Sequence, residues 1–267
     1  VLPGPLLGGE TINDYYTNLG QRVDNRNVYS NEDAINDRKG TSVQAIATLD
    51  KGSFTLTSTT AYRKFERFNR NDLDVTNVNA FGQNNYTEDS ESFSQELTFT
   101  ADLGSVSLLG GAMYFEEELF GEVRVPTVNL ARYFNIVLGT NLPPDLFDGG
   151  NYLQRGTVDT KAVGVYLEGT VDITPSLSFT AGARYNWEKR SGTGRFTFDA
   201  QGIDIPTDKS GDWDAITPKF VLEYETLGGT LLYGKVTKGF KSGVVNIGSL
   251  NAVIDPEDVW SYELGLR

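Results

Sequence analysis

Apolar and polar residues exchange places at almost every step over long stretches of this chain. From Ala162 to Ile173 one set is Val163, Val165, Leu167, Gly169, Val171 and Ile173, and the set between them is Ala162, Gly164, Tyr166, Glu168, Thr170 and Asp172. From Leu177 to Glu188, Leu177, Phe179, Ala181, Ala183, Tyr185 and Trp187 alternate with Ser178, Thr180, Gly182, Arg184, Asn186 and Glu188. The same rhythm runs through Ser92–Leu103, Ile216–Glu225 and Trp260–Arg267. A period of two puts successive side chains on opposite faces of a strand, whereas a helix repeats every three or four residues. The pattern therefore predicts an all-β, antiparallel fold whose strands have one apolar and one polar face. Val106–Phe120 and Thr230–Phe240 are apolar on both faces and read as strands without an assigned side.

Connections alternate too. Short turns at Asp50-Lys51-Gly52, Gly104-Ser105, Thr174-Pro175-Ser176 and Leu227-Gly228-Gly229 are separated by long polar connections over 68–89, 121–157, 191–211 and 241–257. Loops of that length are unusual in a compact domain unless they serve a function. Short turns at one end and long loops at the other are the plan of a transmembrane β-barrel, with periplasmic turns and extracellular loops. Strands of about 12–15 residues exceed the 9–11 that cross a tilted bilayer, so they would project beyond it. Tyr62, Phe65, Tyr114, Phe115, Tyr185, Trp187, Trp213, Trp260 and Tyr262 lie near strand ends, where an interfacial girdle would place them. A soluble sandwich or propeller also alternates, but the regular connection lengths and the many long strands favour the barrel.

Nine strands are read between Thr41 and Arg267. Bacterial single-chain barrels have even strand numbers, and an open edge in lipid leaves backbone groups unpaired. The expectation is a segment of about 9–10 strands whose closure comes from residues outside this sequence.

Composition narrows the function. The chain has no Cys and no His, which excludes disulfides, thiol nucleophiles, His-ligated metals and Ser-His-Asp machinery. A formal net charge of −13 argues against nucleic acid as a partner, because no excess of Lys and Arg exists to displace phosphate counterions. The longest apolar run, Val106–Phe115, contains a Ser and two Gly and falls well short of the ~18 residues of a transmembrane helix.

Two adjacent motifs then carry a resemblance. Tyr233 opens a strand ending Val236-Thr237-Lys238-Gly239-Phe240-Lys241-Ser242-Gly243; Pro256-Glu257 and Ser261-Tyr262-Glu263-Leu264-Gly265-Leu266-Arg267 follow. With the weaker stretches Thr57–Arg63 and Ser94–Phe99, they resemble the barrel domain of TonB-dependent outer-membrane receptors over roughly residues 38–267. The resemblance implies a 22-stranded barrel plugged by an N-terminal domain. It also implies uptake of a ferric siderophore or similar large nutrient, driven by the TonB complex through that plug, in a Gram-negative outer membrane. Neither plug, TonB box nor an aromatic-terminated last strand is read here, so residues 1–267 are expected to be a partial barrel. No cofactor and no enzymatic chemistry are expected. The rivals are a passive porin-type channel and a soluble secreted glycan-binding β-protein.

In a barrel, ligand would meet lumen-facing or loop residues. Candidates on the wall are Arg63, Glu168, Arg184, Lys219 and Glu223; those on loops are Arg67, Arg70, Phe81, Tyr86, Arg132, Tyr133, Phe134 and Tyr152. Arg forks suit carboxylates or phosphates and aromatic rings suit sugar or catecholate planes. The competing use of such charges is an Arg–Glu ladder that holds the wall together. Asn71-Asp72-Leu73-Asp74 could offer oxygen ligands to Ca²⁺ but lacks the Gly and distal Glu of an EF-hand loop. Gly192-Thr193-Gly194-Arg195 is too short for a phosphate loop, and Glu116 and Glu118 read as a solvated rim.

Overall fold

The computed structural model describes residues 33–73, 82, 84–137 and 140–267. It contains nine strands: β1 (Ile35–Asp50), β2 (Phe54–Asn71), β3 (Asn84–Asp102), β4 (Val106–Thr127), β5 (Gly150–Thr174), β6 (Leu177–Phe198), β7 (Ile203–Glu225), β8 (Leu231–Lys241) and β9 (Glu257–Leu266). Each is hydrogen-bonded to its sequence neighbours in one antiparallel sheet, in the order β1 to β9. Among the described residues β1 and β9 are the free edges. The strand count and the all-β meander match the alternation read from sequence.

Register turns that alternation into two faces. Leu167 stands opposite Ala183, and Ala183 opposite Pro218; one residue along, Glu168 stands opposite Gly182, and Gly182 opposite Lys219. A single-residue slip would exchange the faces, so the register is set by the apolar set. That apolar face is bare. Leu167 is 61% exposed, Ile216 62% and Leu264 90%, and the buried hydrophobic residues among those described are six: Ala101, Leu130, Ala131, Val158, Ala215 and Val245. A soluble sandwich would cover this face with a second sheet; no described element packs there.

Two of the short turns share one device. The Asp50 carboxylate accepts from the Gly52 N–H at 2.8 Å, and the Asp102 carboxylate from the Gly104 N–H at 3.0 Å. Both glycines have positive φ, 78° and 84°, a backbone region that costs a side chain energy and glycine nothing.

Strands at the long-loop end run further than expected. The region 191–211 is paired strand: β6 and β7 stay in register from Leu177–Tyr224 to Phe198–Ile203, closed by the 3₁₀ turn Asp199–Gln201. Likewise β2 reaches Asn71 before β3 resumes at Asn84, and β4 reaches Thr127 before β5 starts at Gly150. Beyond the apolar belt neither face needs to be apolar, so the alternation fades while backbone pairing continues. The β4–β5 connection also carries a helix, α1 (Leu130–Val137), that the alternation did not announce. Its Leu130 and Ala131 are buried, and Phe134, Phe147 and Phe198 form a chain of rings at 6.1 and 5.6 Å. The aromatic girdle needs a correction as well. Tyr62, Tyr114, Tyr185, Trp187, Trp260 and Tyr262 share the apolar face, but register puts Phe65, Phe115 and Trp213 on the polar one.

Candidate functional site

The polar face is built by side chains that lie across glycines of the next strand. Glu168 on β5 reaches over Gly182 to Lys219 on β7, whose Nζ donates to both carboxylate oxygens at 3.0 and 2.8 Å. A Cβ on Gly182 would come within 2.9 Å of the Glu168 Cβ. Tyr166 lies across Gly111 toward Glu96 and Thr98, both at 3.5 Å. Arg184 lies across Gly164, donates to Asn186 at 2.6 Å and stacks its guanidinium 5.6 Å from the Tyr166 ring. Glu168, Arg184 and Lys219 share this network, while Glu223 occupies the same face between Ser178 and Tyr233. The ion pair is partly exposed, 40% at Lys219 and 27% at Glu168, so its coupling is modest. A double-mutant cycle of Glu168→Gln and Lys219→Met in urea unfolding is expected to give about 1 kcal/mol.

The two motifs form one cross-strand code. Tyr233 lies over Gly265 and donates to Glu263 at 2.6 Å, which also takes Lys235 at 3.4 Å. On the opposite face Lys238 pairs with Asp258 at 3.0 Å, and at the strand end Lys241 meets Glu257 at 3.8 Å. Gly239 faces Val259, where a Cβ would come within 2.8 Å of the Val259 side chain. Phe240 and Tyr262 project from the apolar face, and Pro256 leads into β9. These residues are spaced as they are because each has a partner on the neighbouring strand.

Toward the long-loop end the polar face opens into a cleft of about 640 Å³, lined in part by Tyr86, Phe115, Glu117, Tyr152, Glu188 and Arg190. Tyr152 stands edge-on to Phe196 at 5.3 Å. Arg67 stacks 5.2 Å from the Tyr86 ring and sits 3.9 Å from Glu88. Burial raises the Tyr152 hydroxyl above the usual tyrosine range; burial, then Glu88 beside it, does the same for Tyr86. Both phenols therefore keep their protons, and Tyr86 donates its own to Glu88 at 3.0 Å. Arg190 donates to Glu188 at 2.6 Å. Arg63, on the same face, lies over Phe65 at 5.4 Å.

The candidates do not all converge here. Tyr152 and Tyr86 line the cleft with Arg67 beside them; Arg63 lies along the same face, while Arg184 and Glu168 belong to the network nearer the short turns. Arg67 and Arg70 of β2, Tyr86 of β3 and Tyr152 of β5 are strand residues, not loop residues. Phe134 is engaged by Phe147 in the helix cluster. Tyr133 and Arg132 lie on α1, but their side chains, like Phe81 and Asp74, fall outside the described residues. Among the described residues no cluster of three or more acidic, His or Cys side chains is arranged to hold a metal, and Gly192–Arg195 is mid-strand in β6. Sequence reading did not single out Glu117 and Arg190. Strand parity alone puts Arg190 on the face of Arg184 and Glu188, but only the infolding of the β8–β9 connection makes these positions a cleft.

The fold has clear relatives among solved structures. It superposes on the ferric yersiniabactin uptake receptor FyuA of Yersinia pestis with a TM-score of 0.69 at 14% identity, covering 88% of this chain and 34% of that one. For the siderophore receptor PiuA of Acinetobacter baumannii the values are 0.61, 18%, 87% and 38%. For the closed form of the ferric-catecholate import receptor Fiu of E. coli K12 they are 0.63, 14%, 96% and 42%. The chain thus spans about two fifths or less of the length of these receptors. No curated protein matches its sequence. Members of the family shared by these receptors are transporters rather than enzymes, built as outer-membrane barrels. The sequence matches the family described as TonB dependent receptor-like, beta-barrel over residues 2–267, and the chain belongs to it.

Proposed function

We propose that this chain is part of the wall of an outer-membrane receptor that imports a ferric siderophore, with energy delivered by the TonB complex through a plug domain. The observation that carries the reading is the cleft of aromatic rings and Arg on the polar face, at the end opposite the short turns, in a fold shared with receptors of that kind. The bare apolar face meets outer-membrane lipid, and the polar face lines the lumen. Tyr152 lines the cleft with a ring and a phenol donor, Tyr86 lines it with its own phenol proton given to Glu88, and Arg67 beside it offers charge to an anionic complex, with Arg63 further down the wall. Glu168 and Arg184 are occupied by wall contacts and serve the barrel rather than the ligand.

Uptake of ⁵⁵Fe supplied as a tris-catecholate, a tris-hydroxamate or a citrate complex, in iron-starved cells with and without the full-length gene, tests this. Loss of at least ten-fold for one complex on deletion is the expected result. Unchanged uptake of all three overturns the ferric-siderophore reading.

A further inference from the structure

Three glycines on three neighbouring strands face each other directly on the polar side: Gly121 on β4 opposite Gly156 on β5, and Gly156 opposite Gly194 on β6. Glycine inside a strand gives up side-chain packing, and it commonly marks a place where another backbone comes close. Here that backbone is the β8–β9 connection, residues 242–256, which turns into the lumen side instead of outward. Ile247 lies over Gly121, its Cδ1 2.9 Å from where a Cβ would stand. Gly248 lies against Gly194, and Val245, 5% exposed, lies over Gly192. Ser242 fixes the near end by donating to Glu188 at 2.7 Å, and Val244 and Ile254 pair both ways at 3.0 Å to close the segment on itself. From β7, the Lys209 ammonium donates to the carbonyls of Ser249, at 2.6 Å, and Asn251. Residues between 244 and 251 form one side of the cleft that holds Tyr86 and Tyr152.

We infer that the β8–β9 connection is a fixed inner strap that completes the ligand pocket, and that Lys209 is the positioning residue that keeps it seated on the glycine trench. The trench lets main chain meet main chain, and the ammonium satisfies two strap carbonyls that would otherwise turn to water. The ligand is held between strap and strand wall. That last role rests on the uptake reading above; the seating of the strap does not.

The test uses the full-length receptor in outer membranes, with single Cys introduced at Val245 or Asn246 and a membrane-impermeant maleimide as probe. This chain has no Cys of its own, and the receptor without an introduced Cys is the blank. Val245→Cys is expected to react at least ten-fold more slowly than Asn246→Cys, which is exposed. Adding Lys209→Ala should bring the two rates within two-fold, and Lys209→Arg, which can still donate to both carbonyls, should restore protection. Equal rates in the parent, or protection that survives Lys209→Ala, overturn the inference. Because Val245→Cys could itself loosen the strap, Gly192→Cys with Val245→Cys is a second arm; their closeness predicts a disulfide, and failure to form one under oxidation also overturns the seat. For whichever ⁵⁵Fe complex the receptor carries, Lys209→Ala should raise half-saturation at least ten-fold and leave the maximal rate within two-fold. An unmoved half-saturation overturns the pocket role. If none of the three complexes is carried, the uptake reading falls and this use of the strap with it, while the labelling still decides whether the strap is seated.

Discussion

Replacing Leu167 with Arg should cost the folded barrel about 2–4 kcal/mol, the range for a cation at the midplane of a barrel's lipid face. Leu167 lies in the middle of the apolar set Val163 to Ile173, opposite Gly110 on one side and Ala183 on the other, with no described layer over it. Its register neighbours on that face, Gly110 and Ala183, carry no charge, so an Arg there reaches headgroup or water only by straining its stem toward an interface. Asp172→Arg, on the polar face of the same strand, should cost less than about 0.5 kcal/mol, as exposed substitutions usually do. Urea unfolding of the full-length receptor in lipid vesicles, followed by heat-modifiable gel migration, measures both. Equal costs would mean that the faces have been assigned the wrong way round.

Gly243→Val should destabilise the same receptor by about 2–3 kcal/mol, a typical price for overpacking. Gly243 is buried where β8 gives way to the strap, with the Trp213 ring on one side and the Ile254 carbonyl on the other. A ring can rotate away, but the carbonyl belongs to a segment paired with Val244 by two backbone bonds, so a branched side chain must push the strap off its seat. Gly228→Val makes the comparison: a Cβ there meets only the Thr226 hydroxyl, at 3.9 Å. The expected readout is a lower urea midpoint with an unchanged slope, accompanied by a shift in Trp fluorescence for the Gly243 variant alone. Equal midpoints for the two variants would show that the strap tolerates displacement.

Much of the fold was readable because lipid-facing alternation is written residue by residue. Leu167 against Glu168, and Trp187 against Glu188, fall on the faces their parity assigns, and the nine strands follow. Parity failed where lipid stops acting. Gly192 to Arg195 looked like loop because neither face is consistently apolar, yet its backbone is laddered to both neighbours. Phe65, Phe115 and Trp213 were counted into a girdle by position along their strands alone, whereas register decides which way they point. The site was less legible still. Tyr152 and Arg67 could be named as residue types suited to a ligand, but the cleft exists because residues 242–256 fold inward. That depends on glycines from three other strands, and no local pattern reports it. Lys209 sits in a polar stretch of β7 and is unremarkable until its two carbonyl partners are in place.

The uncovered apolar face also makes the protein a gauge of membrane thickness. On β5 the alternating set from Val163 to Ile173, at ~3.3 Å per residue and tilted by ~40°, spans roughly 25 Å along the membrane normal, the height of the apolar band on outer-membrane barrels. β6 runs in register beside it, with Phe179 to Trp187 standing opposite Val171 to Val163. A laddered sheet cannot shorten one strand to suit a thicker bilayer. Mismatch would have to be met by lipid deformation around the whole wall, at fractions of a kcal/mol per ångström. The membrane is in this sense the missing half of the hydrophobic core, and its thickness is specified by the sequence of the wall.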